Sequence, residues 1–116
     1  MNQFLKSLMY ALKGVRLSWS EQRNLKVQSV IALITVGAGF YFNITYMEWC
    51  LVLFAIGLVM TLEMINSSIE SLVDLVTREW NQLAGKVKDI AAGAVLFASV
   101  IAVIIGLLVF RKYLFP

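Results

Sequence analysis

Glu63-Met64-Ile65-Asn66-Ser67-Ser68-Ile69-Glu70-Ser71-Leu72-Val73-Asp74 is the stretch on which the reading of this chain turns. It follows the apolar run Trp49 to Leu62, which reads as membrane-buried helix, and nothing in it would stop that helix. At about 100° per residue, Glu63, Asn66, Glu70 and Asp74 fall within an arc of roughly 80°. At a rise of about 1.5 Å per residue, Glu63 and Glu70 lie about 10 Å apart along the axis. One helix therefore carries a polar stripe from inside the bilayer out to its surface. A carboxylate at that depth costs on the order of 2.5–3.5 kcal/mol, and such residues mark functional sites.

Composition agrees with a membrane setting. Of the 116 residues, 60% are hydrophobic and 15% charged, against roughly 45–50% and about 25% in soluble domains. The length suits one domain, residues 1–116. With no histidine in the sequence, proton transfer falls to Glu, Asp, Lys or Tyr. Cys50 is the single cysteine, which excludes an intrachain disulfide and a zinc site built on cysteine and histidine.

Working outward, residues 1–20 read as an amphipathic surface helix. Leu5, Leu8, Met9, Leu12, Val15 and Trp19 recur at three- and four-residue steps, and Lys6, Lys13 and Arg16 take another face. The basic residues and Trp19 suit an anionic headgroup layer, and Lys13 and Arg16 interrupt the apolar core a signal peptide needs. Three spans follow, 27–46, 49–76 and 90–110, the second continuing beyond the membrane. Val27 to Phe42 is short against the ~20 residues a span needs, hence its extension to Tyr46. Gly37-Ala38-Gly39 suits close helix packing; a dinucleotide fingerprint would need a preceding strand and a third glycine. Ser20 to Lys26 and Thr77 to Asp89 read as polar connections, with Gly85 a candidate helix stop. Asn43 to Glu48 is a short loop among Tyr41, Tyr46 and Trp49, an aromatic belt. Ala94, Ala98, Ala102 and Gly106 repeat every four residues, a stripe along which another helix can approach. The fold class is all-α: a surface helix plus three membrane-spanning helices.

Charge placement orients the spans. Lys6, Lys13, Arg16, Arg23 and Lys26 precede the first span, and Arg78, Lys86 and Lys88 precede the third. Three spans put both groups on one side, which the positive-inside rule makes cytoplasmic. Arg111 and Lys112 are the exceptions on the other side. The acidic stripe thus opens toward the cytoplasm.

Glu21, Glu63, Asn66, Glu70, Asp74, Glu79, Lys88 and Asp89 all collect at that face. Carboxylates and an amide suit Mg²⁺, which takes a few carboxylates plus phosphate oxygens, and lysine suits phosphate. A carboxylate at bilayer depth is placed to take a proton from a hydroxyl held there. Together these suggest phosphoryl transfer onto a lipid alcohol, a reaction that needs mostly positioning and charge stabilisation. The sequence has no Walker A loop and no protein-kinase motif. Plainer roles compete: Glu63 as a structural carboxylate, Asn66 as a helix bridge, Asp74 as a solvated helix end, Lys88 and Asp89 as a solvated helix start. The stripe could also line a small channel or serve a non-enzymatic scaffold.

Glu63-x-Ile65-Asn66-Ser67-Ser68-Ile69-Glu70-x-x-Val73-Asp74 resembles the signature of the prokaryotic diacylglycerol kinase family, which includes undecaprenol kinases. The resemblance continues through Ala84-Gly85-Lys86-Val87-Lys88-Asp89 and Ala91-Ala92-Gly93-Ala94-Val95 and covers essentially the whole chain. It implies a homotrimeric kinase of the bacterial cell membrane that uses ATP and Mg²⁺ on a lipid alcohol, with no nucleic-acid partner and with sites at the cytoplasmic face between protomers. By motif position it implies Glu63 as catalytic base, Asn66 as the signature asparagine and Glu70 as a metal ligand. It places Lys88, Asp89, Tyr10 and the segment Glu79, Trp80 and Asn81 near the nucleotide. The family usually has a second metal-binding glutamate just before the first span. Counting from Gly14 and Trp19, that position is Gln22 here, with Glu21 one residue earlier, so either residue completes the metal site. Arg23-Asn24-Leu25 and Met47-Glu48-Trp49 resemble the undecaprenol kinase branch, which makes undecaprenyl phosphate. The diacylglycerol branch, which makes phosphatidic acid, shares the signature.

Overall fold

A computed structural model describes residues 2–116. Among the described residues there are four α-helices and no strand: α1 (Gln3–Glu21), α2 (Arg23–Phe42), α3 (Tyr46–Val76) and α4 (Gln82–Leu114). The last three are long and apolar enough to cross a membrane, and the chain is a membrane protein.

Three of the four helix starts are fixed by a capping side chain, and that of α2 at Gln22 is not. Asn2 accepts from the N–H groups of Phe4 and Leu5 and opens α1. Thr45 and Glu48 form a reciprocal capping box at α3, satisfying two donors the helix leaves free. Asn81 Oδ1 accepts from Ala84 N at 2.8 Å and opens α4.

These caps explain where the helices depart from the sequence expectation. The turn expected over Ser20 to Lys26 contracts to Gln22, whose extended backbone separates α1 from α2. α2 therefore gains Arg23 to Lys26 and closes at Phe42 rather than Tyr46, because Asn43 takes a left-handed conformation, φ 52°, that ends helices. The polar connection expected over Thr77 to Asp89 is helical from Gln82 onward, and Gly85 lies within α4 rather than closing a helix. Its polar composition reflects a helix that leaves the membrane, not a loop. At about 1.5 Å per residue, α3 and α4 are each about 45–50 Å long, well over the ~30 Å hydrocarbon core. They overhang it together.

The packing is that of a thin slab, 53 × 44 × 20 Å in extent. α3 and α4 pack against each other most extensively, α2 against α3 less so. α3 buries Val52, Ala55, Val59, Glu63, Asn66 and Ser67, which all fall within about 120° of arc. α1 buries no residue; Lys26 of α2 sits 5.3 Å over the Trp19 ring. The small-residue stripe of α4 divides. Ala98 is buried and Ala94 exposed, while Ala102 and Gly106 line an open groove rather than a helix contact.

The end away from the acidic stripe is held by a separate cluster. Ile44, Val52 and Val109 form its core with Phe42, Trp49, Phe110 and Tyr113 around them. Glu48 accepts from Tyr113 Oη at 2.6 Å and pairs with Lys112 at 3.1 Å. Lys112, one of the basic residues on the charge-poor side, is thus locally balanced.

At this end Gly39 of α2 packs tightly against Trp49 of α3. A Cβ there would lie 2.7 Å from Trp49 Cη2 and 3.1 Å from Ile44 Cδ1, and Phe40 braces the same indole at 4.9 Å between centroids. Gly39→Ala should lower stability by about 1–3 kcal/mol, read as thermal unfolding in detergent. Gly37→Ala, whose Cβ meets nothing within 4 Å, should not; equal effects would show that the indole moves aside freely.

Candidate active site at the polar end of α3

The face of α3 that packs against its neighbours changes from apolar to polar without changing direction. Above Val52, Ala55 and Val59 it presents Glu63, which is 3% exposed. Ser67 Oγ donates to the Glu63 carbonyl at 3.0 Å, so this serine sits against its own helix and leaves the carboxylate free. The carboxylate's partner comes from α2: Gln28 Nε2 donates to Glu63 Oε2 at 3.3 Å. One amide hydrogen bond is little support for a buried carboxylate, since burying a charge is costly without full pairing.

One turn further, Asn66 Nδ2 donates to Glu70 Oε1 at 3.2 Å. Asn66 is buried, and its Oδ1 has no partner; Gln28 Oε1 is in the same condition. Each such orphan costs about 1–3 kcal/mol. Two buried amide oxygens, each on a side chain bonded to a carboxylate, leave this end of the bundle rich in acceptors and short of donors. Such a set suits a cation or an O–H donor.

Where α3 leaves the slab, Lys88 of α4 reaches Asp74 at 2.7 Å, with side chains 39% and 50% exposed. That bond ties the start of α4 to the end of α3. Asp89, the next residue, is exposed. Between the helices, Thr77 Oγ1 accepts from Glu79 N at 3.2 Å, forming a small turn. Trp80 is exposed, its indole nitrogen beside the first turn of α4, 3.6 Å from where a Gly85 Cβ would be.

The structure thus brings together Glu63, Asn66 and Glu70 along one helix face and adds Lys88 through Asp74. Tyr10, Glu79, Trp80 and Asn81 are exposed, and the Asn81 oxygen is engaged in capping α4. Glu21 ends α1, exposed, and Gln22 is the half-buried break after it. Among the described residues no three or more of His, Cys, Asp and Glu are grouped to hold a metal. Glu70 has an amide, not a second carboxylate, as its neighbour. Gln28 was not singled out in the sequence reading. Its signal was available: with Ser29 it is a polar interruption at the start of the run Val27 to Phe42.

The sequence model of the prokaryotic diacylglycerol kinase family matches residues 9–110. An undecaprenol kinase of Bacillus subtilis (strain 168) is 37% identical over 110 residues, covering 95% of this chain and 89% of that protein. A diacylglycerol kinase of Escherichia coli (strain K12) is 31% identical over 102 residues, covering 88% and 84%. A diacylglycerol kinase of Synechocystis sp. is 36% identical over 103 residues, covering 88% of this chain and 59% of that protein.

The exposed Lys88–Asp74 pair is worth little to stability, as surface pairs are. Asp74→Asn should change unfolding free energy by less than about 1 kcal/mol. A larger loss in detergent denaturation would mean that this bond alone orders the overhanging helix ends.

Proposed function

From the premise that this chain belongs to the prokaryotic diacylglycerol kinase family and is a lipid kinase, we propose that it phosphorylates undecaprenol with ATP and Mg²⁺ at the cytoplasmic face. The observation that carries the reading is the burial of Glu63 among helices with only weak support for its charge. Family membership removes the non-enzymatic channel or scaffold from contention.

Glu63 is the general base. It takes the proton of the lipid hydroxyl as that oxygen bonds to the γ-phosphorus; the bond from phosphorus to the bridging oxygen breaks and ADP leaves. The proton ends on the Glu63 carboxyl, so atoms and charges balance. Glu63 acts at bilayer depth because its substrate's hydroxyl is held there by the hydrocarbon behind it. Asn66 positions Glu70 through their hydrogen bond.

The donor set fits Mg²⁺. The ion takes hard oxygen ligands, and the unpartnered Asn66 Oδ1 beside Glu70 supplies that kind of oxygen. Glu70 and Asn66 would hold it, with Glu21 or the neutral oxygen of Gln22 from the α1–α2 break. Bound there, it would offset phosphate charge. Lys88 and Asp89, with Tyr10, Glu79, Trp80 and Asn81 on the rim, are the nucleotide side. Lys88 reaches phosphate by exchanging Asp74 for it, which a half-exposed pair permits at small cost. The basic residues of α1 and of the α4 start favour the cytoplasmic orientation. Among the described residues too few carboxylates gather for a complete metal site, which supports a site shared between copies in a trimer.

Diacylglycerol is the alternative acceptor, because relatives named for it match nearly as much of the chain. The higher identity of the undecaprenol kinase and the Arg23-Asn24-Leu25 and Met47-Glu48-Trp49 segments favour the polyprenol. The test is one assay with purified protein, ATP and Mg²⁺ and both lipids in parallel. Undecaprenol should give the larger kcat/KM; a preference for diacylglycerol reverses the substrate assignment. Glu63→Gln should lower kcat by about 10²–10⁴ while the protein stays folded. Full activity in that variant removes Glu63 as the base.

A further inference from the structure

We infer that Trp19 and Lys26 form a clip across the break at Gln22, that the clip sets the angle of α1 against the bundle, and that this angle places Tyr10 at the nucleotide. The inference rests on the lipid-kinase reading above, which puts Tyr10 on the nucleotide side, and adds to it two positioning residues.

The break itself leaves the angle open. Gln22 alone separates the two helices, with extended backbone at φ −103° and ψ 111°, and its side chain makes no capping bond to α2. Its N–H donates to Ser18 O at 2.9 Å and its carbonyl accepts from Lys26 N at 3.3 Å. Each helix therefore closes on Gln22, and neither backbone bond runs from one helix to the other. What remains between them is a pair of soft backbone torsions.

The two sides of the break are seated differently. Leu25, in the first turn of α2, is 2% exposed, which fixes that turn in the bundle. α1 buries no residue, and its apolar Phe4, Leu8, Leu12 and Val15 are all exposed. Lipid takes such a face, but a fluid surface leaves a helix free to turn in its plane. Among the described residues no hydrogen bond or ion pair joins a side chain of α1 to another helix. The side-chain tie across the break is Lys26 Nζ, 5.3 Å from the centre of the Trp19 ring. An ammonium within about 6 Å of a ring is held by its negative face, best of all by tryptophan, and more firmly where water is scarce. Lys26 pairs with no carboxylate among the described residues, so the indole is its partner.

Leverage makes this contact matter. Tyr10 lies twelve residues before Gln22, about 18 Å along α1. At that radius a swing of about 10° moves Tyr10 by about 3 Å, the length of a hydrogen bond. Glu21 and Gln22 sit at the pivot and hardly move. The nucleotide side of the site is therefore sensitive to the clip, and the metal side is not.

The test uses the full chain in lipid nanodiscs. Spin labels at Ser7 on α1 and Ser71 on α3, in a Cys50→Ser background, report the angle without turnover. Wild type and Lys26→Arg, which keeps the cation, should give one narrow distance; Lys26→Met and Trp19→Leu should broaden it. With ATP, Mg²⁺ and the lipid alcohol, Lys26→Met and Trp19→Leu should raise KM for ATP by about three- to tenfold, with KM for the lipid and the Mg²⁺ dependence unchanged. Lys26→Arg should restore the wild-type KM. Tyr10→Ala should raise KM for ATP as well, and Lys26→Met added to it should raise it no further, because a contact already removed cannot be misplaced. An unchanged distance in both Lys26→Met and Trp19→Leu overturns the clip, and a full additional rise in the Tyr10→Ala background overturns its route through Tyr10. A broadened distance with KM for ATP unchanged keeps the clip and takes Tyr10 away from the nucleotide, a failure of the underlying reading and not of the clip.

Discussion

The buried face of α3 has to be two things at once. Over Val52, Ala55 and Val59 it is apolar and buried; over Glu63, Asn66 and Ser67 the same face is polar and still buried. A helix cannot rotate one half of its face without rotating the other. The packing of the lower half therefore aims Glu63 inward, and no local choice near Glu63 is needed to hold it there. The bundle supplies the dispersion energy, and the carboxylate's direction follows from it.

That arrangement gives the protein few ways to relieve the charge. A slab only 20 Å thick nevertheless leaves Glu63 3% exposed, with Gln28 from α2 as the partner of its carboxylate. The unpartnered oxygens belong to Gln28, whose amide donates to Glu63, and to Asn66, whose amide donates to Glu70. Buried acceptors that the fold leaves unmet favour ligands that bring a donor or a positive charge.

Much of this was legible beforehand. Periodicity and charge placement in Leu5 to Trp19 gave the surface helix, and the arc of Glu63, Asn66 and Glu70 was readable because a helix has a fixed turn angle. Helix ends were less legible. Asn81 and Asn43 decide where α4 starts and α2 stops through a cap and a left-handed backbone, and a polar run such as Thr77 to Asp89 looks like a loop whether or not it is one. Gln28 was hidden for a different reason: a lone amide near the start of a span has no pattern of its own, and only the crossing of α2 over α3 sets it against Glu63. The small residues of α4 were visible, but whether small means contact or vacancy depends on what stands opposite. For Ala98 it is a helix, and for Gly106 it is space.

Glu48, Lys112 and Tyr113 join positions 64 and 65 residues apart in the chain. The bond cannot exist until the whole of α4 has been synthesised and has crossed the membrane. The Gln28–Glu63 bond, by contrast, needs only α2 and α3. The two ends of the bundle thus close in a fixed order as the chain is made: the contact at Glu63 can form first, and the tie at Glu48 must wait for the last turn of α4.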